Sequence, residues 1–160
     1  MKLALIIYAA AMTVANLLVA QFGPSITPLL AFFLIGLDLA LRDWLHVRLR
    51  AWQMGAVIAG AGLLAWLLNP AAQTIAVASA VSFMVAALVD WLVFVKASGS
   101  WLARSMKSNV AGAAVDSMVF PLLAFGSFMP LIVLGQFVAK VAGGAMWSWL
   151  MAKTLRTEAA

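Results

Sequence analysis

Apolar and polar residues alternate along this chain in long blocks. Six apolar segments, each near the ~20 residues that cross a bilayer as a helix, are separated by short polar connections. Three of these connections contain residues that end helices, namely Gly23-Pro24, Asn69-Pro70 and Gly126-Ser127. The pattern predicts an all-α integral membrane protein, a compact bundle of six transmembrane helices in a single domain, residues 1–160. The expected helices cover about residues 3–22, 26–46, 52–68, 72–95, 108–125 and 130–153.

The polar stretch before the fifth apolar segment is expected to form a short helix of its own. Trp101, Arg104 and Lys107 are residue types that favour the lipid headgroup layer. The sequence therefore predicts an interfacial helix over residues 101–107, separate from a fifth spanning helix that begins near Ser108.

Composition supports the membrane class and narrows the chemistry. The chain is 66% hydrophobic and only 9% charged, whereas a soluble domain carries about 25% charged residues. It contains no cysteine, which excludes disulfides, a thiol nucleophile and thiolate metal sites. A net charge of +5 invites a nucleic-acid partner, but the basic residues are confined to short connections. We therefore expect a lipid-embedded protein with no nucleic-acid partner, no metal and no cofactor.

The positive charges are distributed unequally between the two ends of the predicted bundle. Three connections, around residues 23–27, 69–73 and 126–129, contain no Lys or Arg. Nine of the ten basic residues fall at the opposite end: Lys2, Arg42, Arg48, Arg50, Lys96, Arg104, Lys107, Lys153 and Arg156. By the positive-inside rule, both termini are cytoplasmic. The expected location is the cell inner membrane, and only Lys140 remains inside a span.

Polar and small residues recur at helical spacing within four of the apolar segments. Because lipid offers no hydrogen-bond partners, such faces are expected to turn toward the interior of the bundle. The residues on these faces are Thr13 and Asn16; Ser79, Ser82, Ala86 and Asp90; Asn109, Gly112, Asp116 and Phe120; and Gln136, Lys140, Gly143 or Gly144, and Trp147.

Asp38 interrupts the second apolar segment, and Arg42 follows four residues later on the same helical face. An acid placed N-terminal to a base at this spacing favours an ion pair. Asp38 is about 15 Å along the helix from Pro28, half of a hydrocarbon core of roughly 30 Å. The spacing leaves open whether the pair is structural or part of a site. Asp43 is expected at the membrane surface.

Further ionisable residues are expected near the midplane of the bilayer. From the rise per residue, Lys140 and Asp116 each lie about 13 to 15 Å into their helices. We expect Asp38, Asp116 and Lys140 to meet there, with Asp90 below them on the cytoplasmic side. Intramembrane ionisable residues are costly and usually mark functional sites, so these four are candidate site residues.

Several blocks of the chain resemble the VUT family, whose members are queuosine-precursor transporters that carry 7-deazapurine bases across the inner membrane. The block in the fifth segment is the most specific, although Ala113 stands where that family usually has glutamine. The residues that carry the resemblance are Asp38 to Asp43, Ser79 and Asp90, Ser108, Asn109, Gly112, Asp116 and Ser117, and Lys140. The resemblance implies an importer of 7-cyano-7-deazaguanine, 7-aminomethyl-7-deazaguanine or queuine.

The chemistry of such a base suits the polar residues of the spans. A carboxylate can accept its ring N–H and exocyclic amine together, and an ammonium or amide can donate to its carbonyl oxygen. We favour Asp116 as this carboxylate, and Phe120, Phe137 or Trp147 for stacking. A spare carboxylate could couple proton entry to substrate entry. The predicted substrate-binding residues are Asp38, Ser79, Asp90, Asn109, Asp116, Gln136 and Lys140.

Two other classes of function compete with a transporter that works without a partner subunit. A substrate-binding membrane subunit of a multi-component vitamin or nucleobase uptake system is compatible with the absence of a nucleotide-binding motif. A membrane-embedded enzyme is disfavoured, because the chain has no Gly-x-Gly-Asp motif, one histidine and no HExxH motif. We therefore expect no enzyme, and the sequence leaves a homo-oligomer open.

Overall fold

The computed structural model describes residues 1–46 and 48–157, without the side chains of His46 and of residues 154–157. The side chain of Arg156, predicted at the cytoplasmic end, therefore lies outside the described residues. Residues 158–160 lie outside them as well. Within the described part, all regular structure is helical. The helices are α1 (Lys2–Phe22), α2, α3 (Ala51–Leu68), α4 (Gln73–Lys96), α5 (Trp101–Phe125) and α6 (Pro130–Thr157), with α2 comprising Thr27–Leu30, Ala31–Ile35 and Gly36–His46. The all-α prediction is confirmed.

Six helical segments of the described chain are long and apolar enough to cross a membrane, as the sequence predicts. The connections between them alternate between the two ends of the bundle. We call the end with residues 48–50 and 97–100 the basic end. The end with residues 23–26, 69–72 and 126–129, which contain no Lys or Arg, is the uncharged end.

The predicted break near Ser108 is wrong, because α5 runs without interruption over Trp101–Phe125. Its first turn is capped by Ser100, whose hydroxyl accepts a hydrogen bond from the backbone of the helix. Arg104 secures this turn to α4, donating from Nε to the Phe94 carbonyl oxygen at 3.0 Å. Since no glycine or proline interrupts the stretch, the interfacial segment continues directly into the span.

Helix α2 departs from regular geometry where it passes the interior of the bundle. It follows a 3₁₀ turn, Pro24–Ile26, and contains one π-helical segment, Ala31–Ile35. A π-helical turn shifts the hydrogen-bond ladder by one residue and frequently marks a functional site. Ala31 and Ile35, at the ends of this segment, both face the cavity described below.

Helices α2 and α6 cross in backbone contact at two glycines. A Cβ atom added to Gly36 would lie 2.6 Å from the carbonyl carbon of Gly143, and one added to Gly143 would overlap the Phe32 backbone. Only glycine at both positions permits this separation, which is the close packing that small residues give membrane helices. The contact holds the π-helical segment of α2 directly against α6.

The interior of the bundle is rich in polar and small residues, while large apolar side chains lie on its exterior. The polar faces predicted for α1, α4 and α5 are buried, and Gln136 and Lys140 of α6 are buried with them. Exposed side chains include Leu131, Leu3 and Leu67. This arrangement is the one a bilayer imposes, because exposed polar groups would have no partner in lipid.

Candidate functional site

A small cavity lies between five of the six helices, in the half of the bundle nearer the uncharged end. Its volume is about 30 Å³. The described residues lining it are Ala15, Asn16 and Val19 of α1, Thr27, Leu30, Ala31 and Ile35 of α2, Ser79 and Phe83 of α4, Asp116 and Phe120 of α5, and Gln136 and Lys140 of α6.

An ion pair forms the charged wall of this cavity. The Lys140 Nζ atom lies 2.7 Å from Asp116 Oδ2, and both side chains are almost completely buried. The same ammonium donates to Gln136 Oε1 at 2.9 Å and to Ser117 Oγ at 3.2 Å. With three acceptors around three N–H groups, the buried ammonium is fully satisfied. The pair therefore fixes α5 and α6 relative to each other at mid-span.

Hydrogen bonds continue from this pair to the uncharged end of the bundle. Gln136 Nε2 donates to Thr27 Oγ1 at 3.1 Å. The Thr27 hydroxyl in turn donates to the Pro24 carbonyl oxygen at 2.6 Å. One face of the cavity is thus a polar chain from Lys140 to the connection that precedes α2.

Two buried polar atoms on residues that line the cavity have no hydrogen-bond partner within the described chain. They are Asp116 Oδ1, an acceptor, and Asn16 Nδ2, a donor. Orphaned buried polar atoms are rare and call for an explanation such as a ligand or ordered water. Phe83 and Phe120 add aromatic rings to the same walls. Apolar walls with a few converging polar groups are typical of a small-molecule site.

The predicted site residues divide between this cavity and the basic end. Ser79, Asp116, Gln136 and Lys140 line the cavity, and Asp38, Asp90 and Asn109 do not. Asp90 is eleven residues beyond Ser79 on α4, or about 16 Å along the helix axis. Asn109 precedes Asp116 by seven residues, or about 10 Å. The polar faces of α4 and α5 therefore each extend from the cavity toward the basic end of the bundle.

Asp38 is buried as expected, but it does not join the cavity. Arg42 Nη2 donates to Asp38 Oδ2 at 2.9 Å, and neither side chain is exposed. The Arg42 guanidinium also lies 5.7 Å from the centre of the Phe83 ring. Phe83 therefore lines the cavity and also lies beside the Asp38–Arg42 ion pair. Asp38, Asp116 and Lys140 are all buried inside the bundle, with Asp38 paired to Arg42 and Asp116 paired to Lys140.

Of the aromatic residues predicted to stack on a base, only Phe120 lines the cavity. Trp147 instead donates from Nε1 to the Phe33 carbonyl oxygen at 3.1 Å, where α6 crosses α2. Phe83, which was not predicted as a site residue, is the second aromatic residue that lines the cavity. The prediction missed it because Phe83 lies beside, and not on, the polar stripe of α4.

A second polar cluster lies at the basic end, and we call it the basic-end cluster. Its members come from α2, α5 and α6 and are at most 2% exposed. They are Asp43, Ser105, Ser108, Asn109 and Ser148. Ser105 and Ser108 donate to the two oxygens of Asp43, the latter at 3.3 Å, and the Ser105 and Ser148 hydroxyls are 2.9 Å apart. Asn109 Nδ2 lies 3.2 Å from Ser148 Oγ.

Asp43 was expected near the membrane surface, and its side chain is completely buried within the bundle. One sequence feature could have predicted this burial. It is the spacing of Ser105, Ser108 and Asn109, which share one face of α5. Because the fifth helix was expected to start near Ser108, Ser105 was not assigned to that face. Burial of Asp43 also depends on α6, which supplies Ser148 from far along the chain.

Comparison with known proteins identifies the family of the chain. A protein-family model described as "Putative vitamin uptake transporter" matches residues 2–153. No curated protein and no solved structure matches the chain. With a family match over nearly its whole length and six helices long and apolar enough to span a membrane, this chain belongs to the vitamin uptake transporter family and is a multi-pass membrane protein.

Proposed function

We propose that this chain imports a queuosine precursor across the inner membrane. The substrate would be a 7-deazapurine base, either 7-cyano-7-deazaguanine, 7-aminomethyl-7-deazaguanine or queuine. The resemblance of the Ser108 to Ser117 block to queuosine-precursor transporters supports this substrate class, and the matched family supports transport. The observation that carries the proposal is the unpaired Oδ1 atom of Asp116, a residue that lines the cavity together with Asn16, whose amide nitrogen is also unpaired.

The polar atoms of the cavity complement the edge of a deazaguanine. Asp116 Oδ1 would accept from the ring N–H and the exocyclic amine, while Asn16 Nδ2 would donate to the carbonyl oxygen. The flat ring would stack on Phe83 or Phe120. An analogue lacking these groups would leave buried partners unpaired, which is how such a site discriminates strongly.

Substrate entry requires the cavity walls to move. A volume of about 30 Å³ holds about two waters, whereas an engineered cavity that binds benzene measures ~150 Å³. The π-helical segment Ala31–Ile35 is the part of the wall best suited to rearrange, because its hydrogen-bond ladder is already shifted. In this conformation the candidate site is too small for a 7-deazapurine base.

Direct binding to the purified chain tests the proposal. We expect 7-cyano-7-deazaguanine or 7-aminomethyl-7-deazaguanine to bind more tightly than adenine, whose edge has the opposite donor pattern. Asp116→Asn should weaken binding by about 100-fold, since a charge-assisted hydrogen bond contributes about 1.5–3 kcal/mol. The matched control is Met118→Ala on the lipid-facing side of α5, where Met118 is 47% exposed. Equal binding by Asp116→Asn and the control would refute the proposed role.

A substrate-binding subunit of a multi-component vitamin or nucleobase uptake system is the second candidate function. The match to a vitamin uptake family favours it, because such systems take up similar small molecules. The two functions share the cavity and differ in whether this chain moves substrate without a partner. Transport by the isolated chain separates them.

A further inference from the structure

The basic end of the bundle exposes basic side chains, whereas the acidic residues of the described chain are buried. Asp38, Asp43, Asp90 and Asp116 are at most 3% exposed, and the fifth acid, Glu158, lies outside the described residues. A positively charged surface beside a bilayer attracts lipids with anionic headgroups. The exposed basic residues at this end are Lys2, Arg48, Arg50, Lys96, Lys107 and Lys153.

Two of these lysines line a groove on the exterior of the bundle, along the seam between α4 and α5. The groove has a volume of about 490 Å³, and its walls are Val89, Leu92, Val93, Lys96, Ala97 and Lys107. Lys96 is the last residue of α4, and Val89 precedes it by seven residues, or about 10 Å along the helix axis. The α4 wall of the groove is therefore charged at its outer end and apolar toward the midplane.

Hydrogen bonds hold two basic side chains beside the connection between α4 and α5. Lys107 Nζ donates to the Ser98 carbonyl oxygen at 3.2 Å, so its ammonium reaches back from the second turn of α5 to the connection. Arg104 is fixed to Phe94 through the bond from its Nε atom, and its guanidinium lies 4.2 Å from the centre of the Phe94 ring. An ammonium has three N–H groups, so Lys107 keeps two for a ligand. Charges held in place before binding lower the entropic cost of binding.

Two exterior grooves between α3 and α4 differ from this one in their walls. Their volumes are about 190 Å³ and 370 Å³, and none of their lining residues is charged. Such grooves can accommodate the acyl chain of any lipid but have no group that selects a headgroup. The groove between α4 and α5 combines an apolar wall with two ammonium groups, and this combination matches a lipid that has an acyl chain and a negative charge.

We infer that the groove between α4 and α5 binds one anionic phospholipid, with its phosphate between Lys96 and Lys107 and an acyl chain along Leu92 and Val93. Lysine binds phosphate as a point charge, and basic pockets between membrane helices take anionic headgroups. A zwitterionic lipid is disfavoured, because its headgroup brings a cation to the same two lysines. No residue of this groove lines the cavity, so the inference goes beyond the proposed substrate and does not depend on it.

Native mass spectrometry of the delipidated chain in detergent tests the site with no substrate present. The probes are phosphatidylglycerol and phosphatidylcholine with identical acyl chains. We expect phosphatidylglycerol to bind at one site more tightly than phosphatidylcholine. The double variant Lys96→Gln with Lys107→Gln should weaken its affinity roughly 25-fold, since one lysine at an anionic surface contributes about a fivefold gain. The matched control, Lys2→Gln with Lys153→Gln, removes two charges from the same end and should keep the wild-type affinity.

A third variant tests the placement of the acyl chain. Leu92→Trp fills the apolar part of the groove at a position that is 41% exposed, and it retains both lysines. We expect it to weaken binding of phosphatidylglycerol, and an unchanged affinity would overturn the inference. A ligand that binds only the folded bundle also raises its unfolding temperature, so phosphatidylglycerol should stabilise the wild type more than inorganic phosphate does.

Three further results would overturn the inference. Equal affinities for phosphatidylglycerol and phosphatidylcholine would show that the lysines do not select the headgroup. An equal loss of affinity in the control double variant would show a general attraction to the basic end and no defined site. Stabilisation by inorganic phosphate as large as that by phosphatidylglycerol would show that the groove binds a free anion and not a lipid.

Discussion

Lys140 and Asp116 form a buried ion pair in which Nζ and Oδ2 are 2.7 Å apart, yet the second Asp116 oxygen has no hydrogen-bond partner within the described chain. The pair thus joins two helices and leaves one acceptor unpaired on a residue that lines the cavity. This division of one carboxylate between structure and recognition is the basis of the proposed site.

Removal of Lys140 alone should destabilise the bundle more than removal of both charges. Lys140→Met leaves Asp116 buried without its cation, and breaking a buried pair in this way costs about 3–5 kcal/mol. The double variant Lys140→Met with Asp116→Asn has no unpaired charge and should recover much of that loss. Thermal or denaturant unfolding in detergent measures the free energies. A double variant as unstable as the sum of the single variants would contradict the prediction.

The close crossing of α2 and α6 should be intolerant of a single methyl group. Gly36→Ala places its Cβ against the Gly143 backbone, and we expect a loss of roughly 1–3 kcal/mol from overpacking. Gly60→Ala is the matched control, because nothing lies within 4 Å of a Cβ atom at that position. Unfolding temperatures of the two variants check the prediction. A Gly36→Ala protein as stable as Gly60→Ala would mean that the helices are farther apart than described.

The orientation of the bundle can be tested with single cysteines, since the chain has none. The positive-inside rule predicts that Ser25→Cys, Gln73→Cys and Ser127→Cys all react with an impermeant thiol reagent added outside the cell. A cysteine at Ser98, on the basic end, should react only after the membrane is permeabilised. Labelling of the first three positions only from the cytoplasmic side would reverse the predicted topology.

Asp90, a buried carboxyl group that does not line the cavity, should govern any response of transport to a proton gradient. In liposomes, Asp90→Asn should keep substrate exchange without a gradient but lose stimulation by an imposed gradient. The reason is that an amide cannot take up the proton that a buried carboxylate can bind. Ser82→Ala, a buried substitution on the same helix, should retain the stimulation. Equal stimulation of wild type and Asp90→Asn would separate Asp90 from energy coupling.

Local features of this protein could be predicted from its sequence. The inward face of Ser79, Ser82 and Asp90 follows from helical period and from the absence of partners in lipid. The ion pair of Asp38 with Arg42 needs only a spacing of four residues. Both depend on a single helix, which is why pattern alone locates them.

The features that the sequence did not reveal depend on how separate helices meet. Asp43 is buried because Ser105 and Ser148 arrive from α5 and α6. The π-helical turn at Ala31–Ile35 has no composition that marks it and is held by contact with Gly143. Asn16 was expected to face inward, but its place in the cavity depends on which residues surround it. Division of the candidate residues between two regions likewise follows from packing.

Uptake by the isolated chain in liposomes is the most direct test of the central claim that this protein transports a 7-deazapurine through the Asp116 cavity. Labelled 7-aminomethyl-7-deazaguanine should enter liposomes containing the wild type and the Met118→Ala control. It should not enter liposomes containing Asp116→Asn beyond the level of protein-free liposomes. Binding without uptake by the wild type would assign the chain to a multi-component system. Neither binding nor uptake of any deazapurine would contradict the account.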